Sequence, residues 1–255
     1  MKVPVVVLAG GKNGAEMQVA TGVENRALTL LGTRTMLDYV TAALTQAADI
    51  GEIYVIGNIP ESSAYHQITG GETLLDNLMT GLNAAGSSQE RILISTSDIP
   101  FLTPESVDDF VQQAVASGAD LCCSFVPLAL CQERFPEMKR TAVKLKEGQF
   151  TFGNLMLINP RFALANQKSI QQAYAARKSP VQMARLLGLG LLGRLILAQT
   201  VAPSLLPIST LEKSVSRLLG NGGRAVRVKS QYPEIGTDID KPDDVAIARR
   251  MLAKR

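Results

Sequence analysis

The stretch VVVLAGGKNGAEMQVATGVENRAL, residues 5–28, holds the residues best suited to chemistry on phosphate. It opens as a buried strand, Val5 to Leu8, and breaks into Ala9-Gly10-Gly11. Gly10 and Gly11 carry no Cβ, so backbone N–H groups can come up to a phosphate. The competing reading of this pair is an ordinary turn out of a strand. Asp98, in Ser97-Asp98-Ile99-Pro100, is a second candidate and also ends an apolar run; its competing reading is a turn aspartate. Other chemistries have little to work with. The chain has one histidine, His66, so a histidine-based catalytic constellation is not in view. Cys122, Cys123 and Cys131 have neither the number for a disulfide framework nor the spacing of a zinc site. They read as buried, reduced cysteines of a cytoplasmic protein.

Something must bring Gly10, Gly11 and Asp98 together. Val3–Ala9 is a continuous apolar run, as in a strand covered on both faces. Met36, Val40, Ala43, Leu44 and Ala47 recur at helical spacing behind Thr35, a natural N-cap. Ile53–Ile56 is a second strand, and Leu74, Leu78, Leu82 and Ala85 mark a second helix. Arg91–Thr96 is a third strand. Thr103-Pro104 caps and opens a helix whose buried face is Val107, Phe110, Val111, Ala114 and Val115. Asp120–Val126 is a fourth strand. This alternation predicts an α/β fold with a mainly parallel sheet flanked by helices. Ligands on such sheets bind at the carboxyl ends of the strands, where both candidate motifs fall.

Composition agrees. The 255 residues suffice for a single α/β domain, residues 1–255, and 46% hydrophobic with 19% charged residues makes a substantial core. A net charge of +3 is too mild to argue for nucleic acid and suits anionic small molecules. The apolar run at the N-terminus is too short for a signal peptide.

LAGG after the first strand, SDIPFLTPE after a later one and GTDIDKPDD near the C-terminus together resemble the MobA-like NTP transferases. These are nucleotidyltransferases of Rossmann-like, GT-A type, related to the sugar-1-phosphate and methylerythritol-phosphate cytidylyltransferases. The resemblance covers residues 1 to about 160 and about 225 to 255. It implies a nucleotide held by Leu8, Ala9, Gly10 and Gly11, with Gly71 and Thr73 of Gly70-Gly71-Glu72-Thr73 against the base or substrate; a turn leading into the second helix is the alternative for that stretch. It implies Mg²⁺ on Asp98, with Asp240 as the second ligand and Asp238 competing for that place. Asp243 and Asp244 read instead as partners of the last helix's dipole. Gly153 and Asn154, in Phe152-Gly153-Asn154, match the acceptor side of related enzymes; a bulge glycine is the alternative. The reaction implied is transfer of NMP from an NTP to a phosphorylated acceptor, with pyrophosphate leaving.

The chain departs from the family where charge matters. The usual loop is L-A-G-G-x-G-x-R, followed by a lysine in P-K-x-L. Here Asn13 stands for the third glycine, Ala15 for the arginine and Arg26 for the lysine. The cations left for catalysis are Arg26 and, from a shifted position, Lys12. Two other functions stay open: a catalytically altered nucleotide-binding protein, and a nucleotide-sugar glycosyltransferase, although the Asp-x-Asp of the latter is missing at Asp98.

Residues 161–223 fit the core pattern less well and read as a helical insertion. Leu186–Ala198 is apolar but shorter than the ~20 residues that span a bilayer, and Arg194 interrupts it. With Arg177, Lys178 and Arg185 before it, residues 185–198 could rest on anionic lipid. The plainer expectation is packing within the insertion or in a homodimer, aided by glycines that allow close helix approach. Leu211, Val215, Leu218 and Leu219 mark a further amphipathic helix.

Overall fold

The computed structural model describes residues 2–176, 182, 186, 188–200, 202–220 and 222–253. In chain order its first half carries β1 (Val3–Leu8), α1 (Ala15–Thr21), β2 (Leu30–Leu31), β3 (Arg34–Thr35), α2 (Met36–Gln46), β4 (Ile50–Ile56), β5 (His66–Ile68), α3 (Leu74–Ala84), β6 (Ile92–Thr96) and α4 (Pro104–Ser117). The second half carries β7 (Leu121–Pro127), α5 (Leu128–Arg134), β8 (Val143–Leu145), β9 (Gly148–Ile158), α6 (Pro160–Ala165), α7 (Gln167–Ala176), α8 (Leu189–Thr200), α9 (Ile208–Leu219), β10 (Ala225–Lys229) and α10 (Pro242–Leu252).

The main sheet runs β10-β7-β9-β6-β1-β4-β5, with β8 paired to β9. β1 lies between β4 and β6 and is parallel to both. β4–β5 and β7–β10 are parallel as well. The predicted α/β fold with a mainly parallel, helix-flanked sheet is therefore the fold observed. Val3, Val5, Val6 and Val7 are buried because helices cover both faces: α2 and α4 on one side, α3 on the other. Each of those helices starts at a threonine cap: Thr35 for α2, Thr73 for α3 and Thr103 for α4. In each, the cap hydroxyl accepts from the N3 amide and the N3 side chain returns to the cap residue. The chain leaves β1 for β4 on one side and returns to β6 on the other. That reversal opens a crevice at the carboxyl ends of β1 and β6.

β9 is the element the sequence pattern did not place. It runs antiparallel between β6 and β7. Its apolar stretch Leu155–Ile158 is flanked on both sides in the sheet, and a run of that kind carries no signal of direction. The β7–β9 register slips between Cys123 and Phe125, and Gly153 lies in that bulge. A Cβ on Gly153 would overlap the Ser124 hydroxyl and come within 2.7 Å of Ile235 Cγ2. Ser124 cannot easily yield, because its Oγ donates to Leu155 O at 2.8 Å and accepts from Leu155 N. Next door, Asn154 Nδ2 donates to Ile235 O at 3.1 Å. Gly153 and Asn154 thus clamp the single turn at Pro233–Gly236 onto the sheet.

After β9 the helices α7, α8 and α9 build out from the sheet. Leu191 and Ala198 of α8 are buried with Leu206 and Ile208 against Phe125, Leu145 and Phe150. Ile196 and Leu197 on the same helix remain exposed. Among the described residues, no atom beyond the helix's own backbone packs within 4 Å of where a Cβ would sit on Gly190 or Gly193, so none of the described elements makes a close approach there. Arg177, Lys178, Arg185 and Leu187, part of the expected basic and apolar stretch, lie outside the described residues. Among the described residues no helix is long and apolar enough to cross a membrane. The cysteines are free, and Cys122 and Cys131 are buried. Burial pushes the Cys123 thiol up to about 12 and the Cys131 thiol up to about 11.

The bulge makes a prediction about stability. Gly153→Ala should cost about 1–3 kcal/mol, the usual range for overpacking. Guanidinium unfolding would read this as a lower midpoint with unchanged slope. A wild-type midpoint would mean that Ser124 and Ile235 have slack that their contacts do not show.

Candidate functional site

A cleft of about 1020 Å³ opens at the reversal of strand order. Leu8, Gly10, Gly11, Lys12, Arg26, Gly71, Thr73 and Asp98, each singled out in the sequence, all line it. Ala9 lies beneath and is fully buried. Its carbonyl accepts from Asn25 Nδ2 at 3.0 Å.

The glycine loop is held from the side by residues 23–29. Asn13 N donates to Glu24 O at 2.7 Å, and Arg26 N donates to Gly11 O at 2.9 Å. This is the two-bond bridge that places Lys12 opposite Asn25. Asn13, the residue in place of the third glycine, is buried; its Nδ2 donates to Val23 O and to Thr29 Oγ1. It ties the loop to the chain behind it, where a glycine would leave a gap. Among the described residues, the N–H groups of Gly10, Gly11 and Lys12 have no backbone acceptor. They are the amides an anion in this cleft would meet.

The two cations behave differently. Lys12 is exposed at the rim and pairs with Glu24 at 2.7 Å. Arg26 turns inward. Its backbone is fixed by a short turn, Arg26–Leu28, capped by Asn25 Oδ1. Its Nη1 reaches Asp98 Oδ2 at 3.1 Å, and its Nη2 lies 3.4 Å from Lys12 O.

The opposite wall is the start of α3. Thr73 caps that helix with Asp76, and Gly71 N donates to Asn77 Oδ1 at 2.6 Å. Asn77 is buried, and a Cβ on Gly10 would come within 2.5 Å of its Nδ2. That amide therefore fixes the distance between the glycine loop and α3. Asn77 was missed in the sequence, although a signal existed. It stands three residues after Leu74 and beside Leu78, an amide on the edge of an apolar stripe.

Asp98, on the cleft wall, meets an acidic cluster from a distant segment; Asp238 and Asp240, the candidates for the second metal ligand, do not themselves line the cleft. Ile239 N donates to Asp98 O at 2.8 Å, which seats Asp238 beside Asp98. Asp238 also pairs at 3.0 Å with Arg140 Nη1, and Arg140 Nη2 lies 3.3 Å from Asp244 Oδ1. Arg140 and Asp244 side chains are each only 5% exposed, so this pair is an interior one. Burial pushes the Asp238 carboxyl up; Asp98 and Asp240 push the same way, and Arg140 opposes them. Burial also raises Asp244, with Arg140 opposing and Asp240 adding to the rise. Asp240 itself is exposed. Asp243 and Asp244 do sit in the first turn of α10, as the dipole reading expects, but Asp244 is also the buried partner of Arg140. Arg140 had no signal in the sequence: Met138-Lys139-Arg140 follows no pattern that separates it from a surface cation. Gly153 and Asn154 do not line the cleft; they pack the turn from which Thr237 and Asp238 emerge.

The raised carboxyls have a measurable consequence. Asp238 and Asp244 hold protons more tightly folded than unfolded. Each therefore adds stability below the ordinary value of 3.8 that is lost as pH rises through the raised value. Asp244→Asn removes one of these groups. Its unfolding free energy relative to wild type should shift in its favour as pH climbs from 3.8. Urea unfolding at steps between about pH 3.5 and 7 checks this. A difference independent of pH would show that Arg140 offsets the burial in full.

The comparisons with known proteins point the same way. The profile of the MobA-like NTP transferase domain matches residues 5–152. A structure described as a hypothetical transferase from Thermus thermophilus superposes with a TM-score of 0.83 at 32% identity, over 96% of this chain and 100% of that one. The 2-C-methyl-D-erythritol 4-phosphate cytidylyltransferase of Thermus thermophilus shares the fold, with a TM-score of 0.56, 18% identity and coverage of 99% and 100%. The curated cytidylyltransferase of the same name from Chlorobium luteolum is 24% identical over 135 residues, 45% of this chain and 56% of that relative's length. With that profile spanning β1 through the cleft-forming loops to β9, the chain belongs to the MobA-like NTP transferase domain family.

Proposed function

We propose that this chain transfers NMP from an NTP to a phosphorylated small-molecule acceptor and releases pyrophosphate. The observation that carries the reading is the convergence of free loop amides, Arg26 and Asp98 on one cleft of about 1020 Å³. The amides of Gly10, Gly11 and Lys12 with the guanidinium of Arg26 suit the phosphates, and the α3 wall with Gly71, Thr73 and Asn77 suits the base. Lys12, held by Glu24 at the rim, stands second to Arg26 as a phosphate partner.

The donor set fits Mg²⁺. Asp98 Oδ1 is buried without a partner among the described residues, and Asp238 stands beside it. No group of three or more acidic, histidine or cysteine side chains is arranged to hold a metal among the described residues. Mg²⁺ commonly takes one or two carboxylates plus substrate phosphates, so a full protein cage is not required. Asp98 would be the principal ligand, with Asp238 or the more exposed Asp240 as the second. When bound, the ion would neutralise charge on the phosphates.

The chain's own contribution is positioning and charge. An acceptor phosphate oxygen forms a bond to the α-phosphorus, and the bond from α-phosphorus to the bridging oxygen breaks. The electron pair leaves on pyrophosphate. The attacking oxygen is already ionised, so no general base is needed. Arg26 and the loop amides hold the phosphates and stabilise charge as it moves to the leaving group. Gly153 and Asn154 act indirectly, by fixing the turn that carries Asp238.

The test is pyrophosphate release with four NTPs, Mg²⁺ and mixed phosphorylated acceptors. CTP is the first to try, given the cytidylyltransferases the chain resembles. Turnover with at least one pair is expected; nucleotide binding with no release under any acceptor would overturn transfer in favour of a pure binder. Arg26→Ala should weaken NTP binding by about 1.5–3 kcal/mol, the worth of a charge-assisted hydrogen bond, and Arg26→Lys should recover part of it. Normal binding by Arg26→Ala with loss in Lys12→Ala would move the phosphate contact to Lys12. Asp98→Asn should abolish the Mg²⁺ dependence of binding while the fold persists.

A further inference from the structure

We infer that Arg26 is a resident counter-ion for Asp98 that competes with the divalent cation, so that metal binds well only together with a nucleotide. The inference rests on the nucleotide-transfer reading above. Arg26 Nη1 lies 3.1 Å from Asp98 Oδ2, with side chains 28% and 13% exposed. The pairing is incomplete. A fork-to-fork guanidinium–carboxylate pair satisfies both oxygens. Here Asp98 Oδ1 and Arg26 Nε are both buried without a hydrogen-bond partner among the described residues. The interior Arg140–Asp244 pair is also incomplete, with Arg140 Nε and Asp244 Oδ2 unpartnered among the described residues, but only the Arg26–Asp98 pair lines the cleft, where an arriving ligand can complete it. This one holds Asp98 by one oxygen and keeps the other in reserve.

The guanidinium is also placed to leave. Its main chain is anchored by Arg26 N on Gly11 O and by the Asn25 cap, so a change of partner needs only side-chain rotation. Its Nη2 already lies near Lys12 O, beside the loop amides proposed for the phosphates. A metal ion arriving alone on the free Asp98 Oδ1 meets the guanidinium still held on Oδ2, and displacing it would leave that cation without an anion. A metal ion arriving on a nucleotide brings phosphate oxygens that receive it. The two ligands therefore favour each other through Arg26, and the coupling is reciprocal. A lysine here would be a different latch, since its ammonium must serve the carboxylate and the carbonyl from one nitrogen, whereas Nη1 and Nη2 serve them separately in a planar fork.

The test uses Mn²⁺ alone as the probe, read by electron paramagnetic resonance on the full chain. Wild type, Arg26→Ala, Arg26→Gln and Lys12→Ala are compared, with thermal melts to verify folding. Arg26→Gln keeps a polar side chain of similar reach should the alanine variant fold poorly. Removing the guanidinium should tighten Mn²⁺ binding about three- to tenfold, the scale of a partly screened ion pair. The same variants should bind NTP more weakly, an effect of opposite sign. A non-hydrolysable NTP analogue should enhance Mn²⁺ binding by wild type more than by the Arg26 variants. Equal Mn²⁺ affinity in wild type and Arg26→Gln would overturn the latch while leaving the metal site intact. So would an equal gain in Lys12→Ala, which would mark a general field effect. No Mn²⁺ binding by any variant, with or without nucleotide, would overturn the metal site along with the latch.

Discussion

Parallel pairing of β1 with both β4 and β6 is the constraint on which the rest hangs. A parallel neighbour cannot be reached by a tight turn, so the chain passes from β1 to β4 by way of α2 and reaches β6 by way of α3. Those helices bury Val3, Val5, Val6 and Val7 from both sides. They also leave the ends of β1 and β6 side by side with no helix between them. The glycine loop and Asp98 thus meet because the sheet reverses its order there. Nothing in the loops themselves, which are 72 residues apart at Arg26 and Asp98, would bring them together.

Electrostatics then decides how the cleft is organised. Asp98 lines it, with Asp238, Asp240 and Asp244 gathered behind; Arg26 pairs with Asp98, and Arg140 with Asp238 and Asp244. Arg140 is interior and serves Asp238 and Asp244 at once. Removing one partner of such a buried pair would cost more than the pair contributes, because the orphaned charge stays in a poor solvent. Arg26 is closer to water and serves one oxygen of Asp98. One guanidinium is therefore fixed as part of the fold, and the other is free to respond to what enters.

What the sequence revealed follows from the range of each signal. Strand and helix patterns are local, so the β1, α2, α3, β6 and α4 expectations match the observed elements to within a few residues. The glycine loop, Arg26, Gly71, Thr73 and Asp98 were legible because their motifs sit at strand or helix ends. Arg140 was not, since its role depends on Asp238, 98 positions away, and on Asp244 beyond it. β9 was illegible in direction because an interior strand is apolar whichever way it runs. Gly153 and Asn154 were noticed for their types, but whether they meet a ligand or a neighbouring turn depends on Ser124 and Ile235.

The departures from the family's loop form one coherent change. Asn13 fills the place of a glycine and fastens the loop to Val23 and Thr29. That same fastening sets the segment from which Arg26 projects, through Arg26 N on Gly11 O. A rigid loop lets a long side chain find Asp98 reproducibly, and a guanidinium can hold the carboxylate and lean on Lys12 O together. Ala15, by contrast, sits in the first turn of the short helix α1, exposed and with no charge to offer. The inward-facing positive charge of the cleft thus rests on Arg26, which already has Asp98 as partner, while Lys12 is paired with Glu24 at the rim. On the nucleotide-transfer reading proposed above, phosphate binding and release of Asp98 would be one event, because a single guanidinium would serve both anions.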